Sequence, residues 1–353
     1  MSVSVFEHPW LGGLFGDPAM AEILSAERTL SHMLAFEAAW SRACGSAGLF
    51  DPQKAEAAAR AIEGARIDLG DLAEGTGRDG LPVPQLVAQL KTLADPAAVH
   101  RGATSQDVLD TATVLALREA SDLIAQRLDE LSEVLDDLDA RFGSTPLMGR
   151  TRMQAATEIT VHDRLATWRE PLTTHRARLA EIRPRVELVQ VGGASGDRKA
   201  LGDQADAVVG GVAKALGLAP TARSWHAMRD GIVEYASWLS LVSGTMGKLG
   251  QDIALMAQQG IGEIAVTGTG SSSAMPHKQN PVKAELLVTL ARFNAVQVGA
   301  MHHALIHEQE RSGSGWALEW MVLPQMLMTT GRATSAAIEL CQSIETMGSP
   351  GLR

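Results

Sequence analysis

From Ile232 onward the apolar positions fall at Tyr235, Leu239, Val242, Met246, Leu249, Ile253 and Met256. The spacing alternates three and four, which predicts one amphipathic helix with an unbroken apolar seam. Leu128, Leu131, Leu135 and Leu138 carry the same kind of seam, as do Leu286, Leu290, Phe293, Val296 and Ala300. Helices this long cannot cover such seams alone, so they are expected to pack as a bundle, within the chain or between chains. Gly244, Gly247 and Gly250 sit inside the first of them. Each costs about 1 kcal/mol against alanine in a helix, and close approach of a neighbouring helix is the expected compensation. Upstream, shorter helical patterns are broken by "GTGRDGLPVP" and "LADPAAVHRG". The pattern therefore predicts an all-α chain with a small N-terminal helical domain (residues 1–98) and a long-helix bundle domain (99–353). "ELVQVGGASGD" is the one place where a short strand or irregular connection is expected instead of helix.

Composition agrees with the pattern. Hydrophobic residues make up 45% of the 353 positions, enough for a sizeable core, and aromatics only 4%, a balance that favours helix over sheet. The net charge of −10, with no strongly basic segment, argues against nucleic acid as a partner. Cys44 and Cys341 have no metal-ligand spacing and point to a reducing compartment. "MSVSVFEHPW" lacks a basic region followed by an apolar one, and no apolar run reaches membrane-spanning length. The expectation is a cytoplasmic protein without membrane contact.

Three polar, glycine-containing stretches interrupt or open the long helices. In "HRGATSQDVLDT" (100–111), Thr104 and Asp107 have capping-box spacing, which places Thr104 at a helix N-terminus. That stretch is either a cap alone or a carboxylate site built from free N–H groups, the Thr104 and Ser105 hydroxyls and Arg101. In "MGRTRMQAATEIT" (148–160), Arg150 and Arg152 precede a helix; they are surface ion-pair partners or forks for carboxylates. In "GTGSSSAMPHKQNPV" (268–282), Asn280 and Pro281 read as N-cap and first helical residue. That leaves Ser271, Ser272, Ser273 and Lys278 unexplained. A serine hydroxyl among backbone N–H groups, with a lysine beside it, suits proton transfer next to an anion hole. Other chemistries fit poorly. "GTMGK" lacks the spacing of a phosphate loop, and His303 with His307 lacks the glutamate and third ligand of a zinc site. No strand precedes "GTGSSS" as a dinucleotide fingerprint requires, and no G-x-S-x-G is present.

Taken together the three stretches resemble the shared segments of the fumarase/aspartase superfamily. "SSAMPHKQNP" is similar to its signature G-S-S-x-M-P-x-K-x-N, with Ser271 where the first glycine is usual, so the family's catalytic serine maps onto Ser272. "LFGDPAM", "VQVGGASGD", "SWHAMRDGI" and "ERSGSGWALEW" are most similar to the branch of bacterial 3-carboxymuconate cycloisomerases. The resemblance implies a homotetramer with a common helical core and active sites shared among three subunits, acting in protocatechuate breakdown by the β-ketoadipate route. Two departures stand out. The chain ends at Arg353, soon after "ERSGSGW", so the family's small third domain is expected to be absent. The second segment reads T-R-M-Q, carrying Arg152 and Gln154, where relatives that expel amines or water have T-H-x-Q. A histidine acid helps a poor leaving group; a carboxylate of pKa about 4 needs no proton. The change therefore suits lactonisation.

The resemblance implies catalysis by Ser272 and Lys278. Asn280, Arg101, Thr104, Ser105, Arg152, Gln154, His226, Arg229 and Arg311 are the expected substrate contacts, without metal or organic cofactor. The rival expectations are an adenylosuccinate- or argininosuccinate-like lyase of the same superfamily and a non-catalytic helical oligomer.

Overall fold

The structure is a computed structural model that describes residues 4–268, 270 and 280–349. Two short helices, α1 (Gly12–Phe15) and α2 (Pro18–Ile23), open the chain, followed by α3 (Ala26–Ser46), α4 (Pro52–Glu63), α5 (Leu69–Asp79) and α6 (Val83–Leu93). The long elements come next. α7 (Ser105–Phe142) leads into a hairpin of β1 (Pro146–Thr151) and β2 (Gln154–Thr160), and α8 (Val161–Val186) returns alongside α7. After α9 (Ala205–Leu216), helices α10 (Asp230–Met256), α11 (Val282–Ala304) and α12 (Ser314–Gln342) complete the bundle. A short strand β3 (Ile264–Val266) follows α10 and pairs antiparallel with β4 (Ile344–Met347) after α12.

Side chains at the ends of the helices explain where several of them begin. Ser25, Asp51 and Asp68 each accept a bond from a first-turn N–H of α3, α4 and α5, and Pro52 occupies the first position of α4, where no donor is missed. The α10 seam is buried along its whole length, as is the Leu128–Leu138 seam of α7. A Cβ on Gly247 would stand 2.4 Å from Ala291 Cβ, and one on Gly250 would stand 2.6 Å from the Ala284 carbonyl. Both glycines are thus required by the close approach of α11. Gly244 meets nothing within 4 Å and is exposed. The α11 seam is only half covered. Leu286 and Leu290 are buried, but Val296 is 76% exposed, since among the described residues nothing covers it.

The core runs without interruption from α3 to α12, and α3 packs on both α7 and α9. The expected boundary near residue 98 falls on a single 3-10 turn, Pro96–Ala98, just before α7. Among the described residues no helix is long and apolar enough to cross a membrane.

Two local expectations are corrected, and the irregular connection expected at residues 187–197 is observed. "MGRTRMQAATEIT" is a β-hairpin, not a linear run into a helix. Arg152 and Met153 both take positive φ (51° and 66°) at its tip, the geometry of a tight two-residue turn. Asn280 is not an N-cap: α11 starts at Val282 after Pro281, and Asn280 instead exchanges backbone bonds with Gly270. Residues 187–198 are irregular, with one parallel bridge between Leu188 and Ala219.

Candidate functional site

The N-terminus of α7 is built around Asp107, which is fully buried. Its Oδ2 accepts from the Thr104 and Gly193 N–H groups, each at 3.0 Å. Its Oδ1 accepts from Gly192 N–H at 2.8 Å and pairs with His226 Nε2 at 2.8 Å. One carboxylate thus ties the helix start, the glycine pair of "VGGASGD" and the "SWHAMR" segment together. The glycines are needed for this. A Cβ on Gly192 would lie 2.4 Å from Ser224 Oγ and 2.5 Å from His226 Cε1, and Gly193 has φ +67° against the Gly102 carbonyl. Arg311 closes the same cluster from the far side, donating through Nη2 to the carbonyls of Gly193 (3.3 Å) and Ala194 (3.2 Å). Thr104 and Ser105 are half-buried at the helix start, and Arg101 beside them is exposed. The N–H groups of the first turn that the cap leaves free, with the dipole of a 38-residue helix behind them, favour an anion.

Arg229 belongs to this end of the molecule but is already engaged. Its guanidinium donates to Asp110 (2.7 and 3.0 Å) and to Glu319 (2.8 and 2.5 Å), and all three side chains are buried. Burial opposes its charge, yet the two carboxylates outweigh burial and hold its pKa above the ordinary arginine value. Asp110 also accepts from Gln106, Gln190 and the Trp316 indole. The expectation that Arg229 grips substrate is therefore corrected in its geometry: with both faces of its fork occupied, it braces α7, α10 and α12 beneath the cluster. His226 is partly committed in the same way, through Nε2, while its buried Nδ1 has no partner.

The remaining candidates lie elsewhere. Arg152 and Gln154 are exposed on the hairpin that follows the C-terminus of α7. With a rise of about 1.5 Å per residue, the 38 residues of α7 span about 57 Å, so the hairpin begins a full helix length from Thr104. Arg150 anchors the hairpin by an ion pair to the buried Glu263 at 2.5 Å, just before β3. Asn280 sits at this same end, since α10 carries the chain away from Arg229 and β3 follows it. Gly270 and Asn280 bond to each other through both backbone groups (3.0 and 2.9 Å), so the chain leaves and re-enters at one point. Ser272 and Lys278 lie between them, outside the described residues. His303 ends α11 exposed, whereas His307 lies beyond it, 3.6 Å from Glu319, so the two do not share a helix face.

The structure adds three residues that the sequence reading missed as site components: Asp107, Glu37 and His100. Asp107 was visible only as a cap. His100 adopts φ 58° next to Arg101 and pairs through Nδ1 with Glu37 on α3 at 2.5 Å, Glu37 being fully buried. Burial works against a charged ring, but the Glu37 carboxylate outweighs it and holds the pKa above the usual histidine value. The shift favours the protonated ring beside the α7 start, with the Glu37 carboxylate as its counter-charge. Its partner is 63 positions away in sequence, so no local spacing could have announced it.

Comparison with known proteins identifies the family. A family model described as "Lyase" matches residues 16–296. The 3-carboxy-cis,cis-muconate cycloisomerase of Pseudomonas aeruginosa is 40% identical over 335 residues, covering 92% of this chain and 73% of that protein. The enzyme of the same name from Pseudomonas putida is 39% identical over 340 residues, covering 94% and 81%. The crystal structure of 3-carboxy-cis,cis-muconate lactonizing enzyme from Pseudomonas putida matches with a TM-score of 0.89, over 96% of this chain and 77% of that one. With the family model spanning most of its length and the fold matching throughout, the chain belongs to the fumarase/aspartase superfamily of lyases.

Proposed function

We propose that the protein is a lactonising cycloisomerase that interconverts 3-carboxy-cis,cis-muconate and 4-carboxymuconolactone. The likeness in sequence and fold to enzymes of that name supports the activity. One observation carries the architecture: the α7 start, with Thr104, Ser105 and Arg101, lies a helix length away from the hairpin of Arg152 and from Asn280. A substrate a few ångströms long cannot touch both ends of one chain, so a complete site needs at least two copies.

The fold offers surfaces for that assembly. Leu241 (50% exposed), Gly244, Val296 and Met321 (67% exposed) stand outward on α10, α11 and α12. Gly244 and Gly299 have nothing within 4 Å of an added Cβ, leaving room for a second chain's helices. The hairpin has an almost wholly exposed β2, and an isolated two-stranded hairpin is marginal in water. A homotetramer that packs these helices against each other would bring the hairpin of one subunit and the serine stretch of another to the α7 start of a third.

In such a site one substrate carboxylate oxygen adds to the conjugated double bond and closes a five-membered lactone. The electron pair moves onto the neighbouring carboxyl group as an aci-carboxylate, and a proton then reaches the α-carbon. Ser272 would carry that proton. Lys278, Asn280 and nearby N–H groups would stabilise the aci-carboxylate as it forms. His100, Arg101, Thr104, Ser105 and Arg311 would hold the carboxylates that do not react, and Arg152 with Gln154 would do so from the neighbouring hairpin. The leaving group of the reverse reaction is a carboxylate, which needs no acid. The test is the ultraviolet absorbance of 3-carboxy-cis,cis-muconate with purified protein. Loss of the diene band at enzymic rates is expected; an unchanged spectrum at micromolar protein refutes the assignment.

A further inference from the structure

Arg198 is buried (7% exposed) with φ 55°, next to the glycine pair that caps α7. It donates through Nε to the Val191 carbonyl (2.8 Å), through Nη1 to the Ala222 carbonyl (3.2 Å) and through Nη2 to Thr221 Oγ1 (2.9 Å). All three acceptors are neutral, and among the described residues no ion pair offsets the charge. Arg229, more deeply buried, has two carboxylates. Asp206 and Asp107 act on Arg198 only from beyond contact; a buried guanidinium with no carboxylate in contact is costly, and Arg198 keeps two N–H groups beyond the three it uses.

A second observation is independent of the first. His226 is 2% exposed, held through Nε2 by Asp107, and its Nδ1 has no partner. That nitrogen faces Gly196, where a Cβ would stand 4.0 Å from it. Arg198 and His226 line one open groove of about 480 Å³, together with Ser195, Arg223, Ser224 and Glu310. A volume of this order suits a small organic ligand. The acidic groups of the groove, Asp197 and Glu310, are exposed at its rim, where water screens them. Behind the floor the buried Asp107 carboxylate is already taken up by four donors, one of them His226 Nε2, so Arg198 is the buried charge that lines the groove.

We infer that the groove between residues 195–198 and 222–226 is a carboxylate subsite, with the Arg198 guanidinium and the His226 ring on its floor. The inference rests on the reading of the chain as an enzyme of small polycarboxylates. The carboxylate is either the third one of the substrate or that of a separate small effector; both present the same chemistry to Arg198.

Calorimetry on the assembled full-length protein tests this with tricarballylate and glutarate, which differ only in the middle carboxylate. Wild type should bind tricarballylate at least tenfold more tightly. Ser195→Trp fills the groove from an exposed position and leaves the buried bonds intact; it should abolish the preference, as should Arg198→Met if that variant folds. An unchanged preference in folded Ser195→Trp overturns the subsite. Steady-state kinetics separates the sources. Competitive inhibition by tricarballylate, lost in Ser195→Trp, identifies the substrate's own carboxylate. Activation or non-competitive inhibition lost in the same variant identifies an effector. Should the protein fail to turn over 3-carboxy-cis,cis-muconate, the calorimetric preference still reports the subsite, so failure of the activity and failure of the groove remain distinguishable.

Discussion

Replacing Asp107 by asparagine removes one acceptor oxygen from a buried carboxylate that serves four donors. Each oxygen holds two of them: Oδ1 takes Gly192 N–H and His226 Nε2, and Oδ2 takes Thr104 N–H and Gly193 N–H. Either orientation of the new amide keeps one pair and sets an NH₂ group against the other. Hydrogen bonds to a charged group contribute about 1.5–3 kcal/mol each, so losing two costs about 3–6 kcal/mol. At about 2–4 °C per kcal/mol for a large domain, the melting midpoint should fall by at least about 6 °C. The loss should be local in function as well. With Gly192 and Gly193 released from the α7 start, KM should rise more than kcat falls, because the role proposed for the cluster is to hold carboxylates and not to move the proton. Differential scanning fluorimetry of Asp107→Asn beside wild type, with steady-state kinetics on the same samples, provides both numbers. A midpoint within 2 °C of wild type, or a fall confined to kcat, would refute the role assigned to Asp107.

Other consequences follow from particular contacts. Burial first, and then the Arg178 charge, lower the pKa of His175 from 6.5 to about 4, while Arg178 donates to its Nδ1 and Thr245 Oγ1 pairs with its Nε2. The unfolded chain binds that proton first, so stability should be full above pH 6.5 and fall between 6.5 and about 4 by up to about 3 kcal/mol; His175→Gln should flatten this acid limb in urea titrations, and an unaltered slope counts against it. Gly247→Leu should destabilise the fold, its side chain meeting Ala291 at 2.4 Å, whereas Gly244→Leu should leave the protomer folded and shift light-scattering mass from the tetramer toward 37.4 kDa; a tetrameric Gly244→Leu would remove this face from the interface. Ser272→Ala should lower kcat by about 10²–10⁴, the usual worth of a positioned acid–base group, with little change in KM; near-normal kcat in a folded tetramer would falsify the serine assignment.

The helices were legible because one period, 3.6, runs through each seam, and the α10 seam is buried at every position the spacing named. The cap at Thr104 was legible from its partner three residues on. The hairpin was not: "GRTRMQ" has no Asn-Gly or Asp-Gly, and its turn is made by Arg152 and Met153 at positive φ, which few non-glycine residues adopt. The engagement of Arg229 with Asp110 and Glu319, and of His100 with Glu37, spans dozens of residues and has no local pattern. Charge type alone marked Arg229 as a ligand for carboxylates; the structure supplies carboxylates of its own. Motif order brought the three polar stretches together as one site, yet within a chain they occupy opposite ends of the bundle.

That separation is the most directly testable part of the account. Arg152→Ala and Ser272→Ala proteins, each prepared alone, should both be nearly inactive on 3-carboxy-cis,cis-muconate. Mixing them, dissociating the subunits with mild denaturant and reassembling should restore activity well above either parent, because some sites then draw an intact hairpin from one subunit and an intact serine from another. Reassembled mixtures that stay as inactive as their parents, while wild type treated the same way recovers, would contradict a site shared between chains.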